Sequence, residues 1–283
     1  MSEPFDLTAC DALDLMRQRK MSVVELVRSC LARIEALEPT IMAWTVLDAD
    51  DALKRARRLD EEEPKGALHG LPMGVKDLID TADMPTEYGC PEIFKGWRPM
   101  VDAACVTVAK KAGAVILGKT VTQAFGCGAV VKTANPLNVD HTSGGSSAGS
   151  VAAVAARMAP LALGSQSASS LIRPASYNGL IGMRPSMNLI NGAGFKYFNG
   201  SFDTIGLIEH FGMADTRFQG CESFRGKYGF SPRCFAAPTM RASRRPRPRP
   251  TSASRIDAQF ELSLPSRLQS ACTPARSAHE CCG

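Results

Sequence analysis

Residues 144–175 read GGSSAGSVAAVAARMAPLALGSQSASSLIRPA, and this stretch decides the fold. Two serine-bearing Gly/Ser/Ala turns flank an alanine-rich run and a short apolar segment. Val151 to Met158 predicts a helix and Pro160 to Leu163 a strand. The turns suit close backbone approach to a reacting group, and their serines supply hydroxyls there. Upstream, Met73 to Asp80 (MGVKDLID) places one lysine, Lys76, inside an apolar, strand-like run. A lysine held in apolar surroundings can be neutral, and therefore basic, near pH 7. Serines and a strand lysine, with no suitably placed histidine, point to an acyl-transfer site.

The flanking sequence extends the same pattern of layers. Two amphipathic helices open the chain, the first capped by Thr8 with Asp11, the second by a Ser22/Glu25 capping box. Val23, Val27, Cys30, Leu31 and Ile34 fall on one face of the second helix. A charged surface helix follows over about residues 51–62, then a strand through Val75 and Leu78. A helix from about Asp102 ends near Gly113, and Ala114 to Leu117 read as a buried strand. Strands alternating with helices predict an α/β layered domain.

The chain has 283 residues with 45% hydrophobic content, enough for a sizeable core in one large or two small domains. Its net charge of +5 is unevenly placed: residues 1–210 carry 21 Lys and Arg against 23 Asp and Glu. The remaining 73 residues carry 12 against 5, so the main body offers no basic footprint for nucleic acid or a membrane surface. The first residues, MSEPFDLTACDALDL, lack the apolar core of a signal peptide. No apolar run approaches the ~20 residues of a membrane span, so a cytoplasmic location is expected. Cys10, Cys30, Cys90, Cys105 and Cys127 are scattered and odd in number, which suits reduced thiols better than a disulfide framework or a zinc site. Cys281 and Cys282 lack ligand partners at metal spacing.

Together these motifs resemble the amidase signature family of serine hydrolases over about residues 8–210. The resemblance rests on Gly74-Val75-Lys76-Asp77, on GAVILGKT at 113–120, on the GGSSAGS turn, and on Ser170 followed by LIRPA. The 24-residue separation of Ser146 and Ser170 is the family's spacing. The resemblance implies an amidase-signature α/β fold, a mixed sheet flanked by helices. It implies hydrolysis of a small-molecule amide through an acyl-enzyme on Ser170, with Ser146 as bridging serine, Lys76 as base and no cofactor or metal. It also implies a cis peptide at Gly145–Ser146, and an oxyanion held by the backbone N–H groups of the Ser167-Ala168-Ser169-Ser170 turn.

Several positions depart from the family's common pattern. Ser169 stands where many relatives have glycine, and a φ above zero there would cost about 1 kcal/mol. Gln166 replaces a common acidic residue, Arg173 is expected to pin the turn, and Ser147 is expected to cap the following helix and to support the site from behind its reacting groups.

After about residue 212 the resemblance stops and Arg, Pro, Ser, Ala and Cys dominate, with RASRRPRPRP at 241–250. Residues 1–212 are thus expected to form a partial amidase signature domain, incomplete on its C-terminal side. Residues 213–283 are expected to be disordered, as a basic interaction tail or, preferably, as an unrelated reading frame replacing the family's continuation. A truncated, inactive relative is therefore an open alternative, since the family's sheet draws on both halves of the sequence.

Two other site chemistries compete. Residues 145–149 satisfy G-x-S-x-G, and Asp203 and His210 follow in the order of an α/β-hydrolase esterase whose nucleophile would be Ser147. That elbow needs a strand directly before it, and NPLNVDHTSG at 135–144 reads as a loop. A phosphate-binding loop would need a Gly-Lys-Ser/Thr ending that the turn lacks. Aryl amides, aliphatic amides, acylated amines and glutamine all remain open as substrates.

Overall fold

Helix α1 (Ala9–Arg17) starts where the Thr8 side chain accepts the Asp11 N–H. Helix α2 (Val23–Ile41) starts at a complete Ser22/Glu25 capping box, a motif worth about 1 kcal/mol. Val23, Leu26, Val27, Cys30 and Ile34 form its buried stripe, while Leu31 is only half-buried. The computed structural model describes residues 3–64 and 66–210. The expectations for residues 213–283 lie outside the described residues.

After α2 the chain runs through β1 (Trp44–Leu47), α3 (Ala49–Glu61), β2 (Pro72–Lys76), α4 (Pro91–Phe94), α5 (Ala104–Lys111) and β3 (Val115–Thr120). A hairpin of β4 (Ala134–Asn135) and β5 (Asn138–Thr142) precedes α6 (Ala148–Ala155) and β6 (Leu161–Gln166). Helix α7 (Ile172–Tyr177), β7 (Ile181–Met183) and β8 (Thr204–Glu209) complete the described elements.

Six strands form one mixed sheet in the order β1-β3-β2-β6-β8-β7. The three central strands β3, β2 and β6 are parallel; β1 and β8 pair antiparallel to β3 and β6, and β7 antiparallel to β8. Every residue of β2, β3 and β6 is buried, as expected for parallel strands covered on both faces. The fold class read from the sequence is therefore the fold observed. Two of the largest fully buried side chains are lysines, Lys76 and Lys119, a residue type almost never buried without partners.

Helix α6 lies close against the sheet because Gly149 lacks a side chain. A Cβ there would collide with the Ala43 carbonyl and the Val121 nitrogen. Gly144 takes a φ of +83°, and its missing Cβ leaves room for Tyr177 and Pro174.

Several boundaries differ from the sequence reading. Strand β2 ends at Lys76, so Leu78 lies beyond it. Helix α6 begins at Ala148, three residues before Val151 and directly at the serine turn. Strand β6 continues past Leu163 through Gln166, because its polar end pairs in register with β8 from Gln166–Thr204 to Leu161–Glu209. Residues 138–142, read as loop, form the exposed strand β5, whose alternation is invisible because every residue of it is exposed.

Candidate active site

Lys76 ends β2 at the carboxyl edge of the parallel strands, the edge where open α/β sheets bind ligands. Its side chain is 0% exposed. The Nζ atom lies 2.8 Å from Ser146 Oγ, 3.0 Å from Ser147 Oγ and 2.9 Å from Ser165 Oγ. Desolvation by this complete burial lowers its pKa to about 7, opposed by the negative charge of Asp203. Near neutral pH the amine is thus poised between its two charge states.

The three hydroxyls are not equivalent. Ser147 Oγ donates to the Ser165 carbonyl at 3.1 Å and accepts from the Ser165 N–H at 3.2 Å. Its proton is committed, so toward Lys76 it acts as an acceptor. For Ser146 Oγ and Ser165 Oγ, Lys76 Nζ is the hydrogen-bond partner among the described residues. A neutral lysine offers two donors and one lone pair. With Ser147 taking one donor, the lone pair can receive a proton from Ser146 or Ser165.

Two serine turns converge on this amine. The Gly145–Ser146 peptide is cis. Arg173 Nη2 donates to the Gly145 carbonyl at 2.8 Å, so its guanidinium is engaged with the turn. The Ser147 N–H donates to the Ser170 carbonyl at 3.0 Å, tying the two turns together. Gln166 Oε1 accepts the Leu171 and Ile172 N–H groups at 3.1 and 2.9 Å and shapes the loop between them. Ser170 is half-buried. The N–H groups of Ser167, Ala168, Ser169 and Ser170 have no acceptor among the described residues. Among the described residues no group of three or more His, Cys, Asp or Glu could hold a metal ion.

A sequence model of the amidase family, described as Amidase, matches residues 25–211. The chain belongs to the amidase family. The glutamyl-tRNA(Gln) amidotransferase A subunit of Acidothermus cellulolyticus is 38% identical over 216 residues, covering 73% of this chain and 43% of that protein. Its counterpart from Roseiflexus castenholzii is 37% identical over 215 residues, covering 73% and 44%. Among solved structures, native peptide amidase from Stenotrophomonas maltophilia superposes with a TM-score of 0.68 at 34% identity, over 72% of this chain and 45% of that one. An amidase family protein from Bacillus anthracis gives 0.71 at 28% identity, over 80% and 47%. The chain thus spans less than half the length of these relatives.

Lys76 and Ser146 are brought into hydrogen-bond contact, and Ser170 is held on the adjoining turn by its own carbonyl. Ser147 makes no side-chain cap to α6; its hydroxyl turns to Lys76 and Ser165 instead, which corrects the capping expectation. Ser169 carries no left-handed backbone: among the described residues the non-glycine residues with positive φ are Arg19, Met42, Tyr88, Phe125, Arg157 and Asn188. The expected strain is absent there.

The esterase arrangement is contradicted by geometry. Ser147 is fully buried with its proton engaged, and Asp203 and His210 flank opposite ends of β8. One site residue, Ser165, was missed by sequence reasoning, and Asp203 was read there only as the acid of the esterase arrangement. Ser165 offered a signal, since it alternates with Gly164 at the end of an apolar strand beside the lysine strand.

Proposed function

We propose that this chain carries the hydrolytic centre of an amide hydrolase acting on a small-molecule amide. The observation that carries this reading is the fully buried Lys76 amine held by Ser146, Ser147 and Ser165 beside the Ser170 turn. An amide is a poor electrophile with a poor leaving group, so its hydrolysis needs an activated nucleophile, oxyanion donors and an acid for the departing nitrogen. In this reading neutral Lys76 takes the Ser146 proton, while Ser146 takes the proton of Ser170 as its oxygen attacks the carbonyl carbon. The resulting oxyanion is met by backbone N–H groups of the Ser167, Ala168, Ser169 and Ser170 turn.

Collapse of the tetrahedral adduct breaks the C–N bond, and the proton held on Lys76 returns through Ser146 to the leaving nitrogen. Water, deprotonated along the same route, then releases the acid and restores Ser170. The family match ends at residue 211, which supports a domain boundary near residue 212, with residues 213–283 outside the amidase domain.

Incubation of the purified chain with a panel of aryl and aliphatic amides, reading amine release, tests the assignment. Turnover lost in Ser170→Ala is expected. A folded chain without turnover on any of them favours the alternative of a catalytically inactive relative.

A further inference from the structure

Asp203 is 4% exposed and directly precedes β8, whose first residue Thr204 pairs with Gln166. It therefore lies at the same sheet edge as Ser165 and Lys76. Its Oδ2 accepts the N–H groups of Phe198 and Asn199. Its Oδ1 is buried and has no hydrogen-bond partner among the described residues. A buried carboxylate with one empty oxygen is a field source in need of a counter-charge.

The other charges around Lys76 are already spoken for. On β3, Lys119 Nζ is directed to the Ile79 carbonyl and Thr86 Oγ1 and lies 3.3 Å from Asp77 Oδ1. On the loop after β2, Asp80 accepts the Tyr88 hydroxyl. On α7, Arg173 is held by the Gly145 carbonyl. Strand β6 and helix α6 contain no titratable side chain. The buried face of α2 presents Cys30, whose thiol burial pushes up to about 12 and keeps neutral. Glu209 stands at the far end of β8.

We propose that Asp203 is a positioning residue whose buried carboxylate acts through space on Lys76 and keeps its amine able to take up a proton. Its value in catalysis rests on the reading of Lys76 as the base; the electrostatic coupling itself does not. Desolvation alone would drive the amine toward a permanently neutral, weakly basic form. The Asp203 charge opposes that drive, so Lys76 can hold the proton it takes from Ser146 until the relay returns one to the leaving nitrogen.

The test replaces Asp203 by Asn, which removes the charge but keeps an acceptor for the Phe198 and Asn199 N–H groups. In the full chain, the Lys76 Cε signal is followed by 13C NMR against pH and identified by its loss in Lys76→Met. The expected result is a Lys76 midpoint lower by about one unit in Asp203→Asn. The acid limb of Ser170 labelling by a fluorophosphonate is expected to move with it. An unchanged midpoint in a folded Asp203→Asn protein overturns the proposal.

Should that variant not fold, the sequentially assigned Asp203 carboxyl 13C signal of the unmodified chain is read instead. A step centred on the Lys76 midpoint is expected, and a flat trace there overturns the proposal equally. A shifted Lys76 midpoint in a chain that never labels at Ser170 sinks the amidase reading and leaves the coupling intact.

Discussion

The Ser147 hydroxyl gives its proton to the Ser165 carbonyl 3.1 Å away while accepting from Lys76 Nζ at 3.0 Å. That pairing leaves Ser146 as the hydroxyl that can hand a proton to the lysine from the turn nearest Ser170. Two serines adjacent in sequence therefore have separable roles. Ser146→Ala is expected to abolish labelling of Ser170. Ser147→Ala is expected to lower the labelling rate without abolishing it, and to cost about 1–3 kcal/mol of stability through the unpaired Ser165 N–H. Labelling rates and urea midpoints of the two variants check this; equal loss of labelling in both contradicts it.

Lys76 also makes stability depend on pH. Its folded pKa, about 7, lies below its usual value of 10.5. Between those values the unfolded chain binds the extra proton, so stability rises with pH. Burial lowers Lys119 to about 8, which adds to the rise above that pH. Below pH 7 the opposite slope comes from Glu209, raised by burial from 4.5 to about 7. Above about pH 9 the buried thiols Cys30 and Cys105, both pushed up to about 12, oppose it too. Unfolding free energies from urea titrations between pH 7 and 8.5 should climb, by at most about 1.4 kcal/mol per pH unit for the single proton on Lys76. Lys76→Met should flatten the climb below pH 8.

Gln166 orders the turn over residues 167–170 by accepting the Leu171 and Ile172 N–H groups. Gln166→Ala leaves both donors without that acceptor, and is expected to slow Ser170 labelling at least tenfold. Gln166→Glu keeps the acceptor and is expected to retain most of the rate. Comparison of the two by stopped-time labelling separates loss of the acceptor from loss of the amide group.

The second buried lysine is structural. Lys119 and Asp77 pair at 3.3 Å with both side chains buried, and Asp77 also accepts the Glu87 and Gly89 N–H groups. Lys119→Met leaves the Asp77 carboxylate buried without its cation, at an expected cost of about 3–5 kcal/mol by chemical denaturation. Asp77→Asn combined with Lys119→Met should recover part of that loss.

Much of the parallel core was legible because its signals are local. Capping residues Thr8 and Ser22, the glycine stop after α5 and the apolar runs of β2, β3 and β6 each carry a short-range physical preference. The antiparallel additions were not legible. Strands β7 and β8 follow a segment without periodicity, and their placement depends on pairing with β6. Strand β5 is exposed throughout and left no hydrophobic trace. Within the site, Lys76, Ser146 and Ser170 stood out through family motifs. Ser165 did not, and Asp203 did so only as the acid of the esterase arrangement, because their placement arises only when β6 and β8 bring two distant segments to one sheet edge. The lesson of Ser147 is similar: a serine at a helix start usually caps it, yet a buried amine nearby competes for the hydroxyl and wins.

The most direct measurement treats the intact chain with a fluorophosphonate between pH 5 and 9, maps the adduct by peptide mass spectrometry and records its rate. A single adduct on Ser170, half-maximal near pH 7 and lost in Lys76→Ala, is the expected result. An adduct that persists in Ser170→Ala, or a rate indifferent to pH and to Lys76, would contradict a buried neutral lysine driving one serine through another.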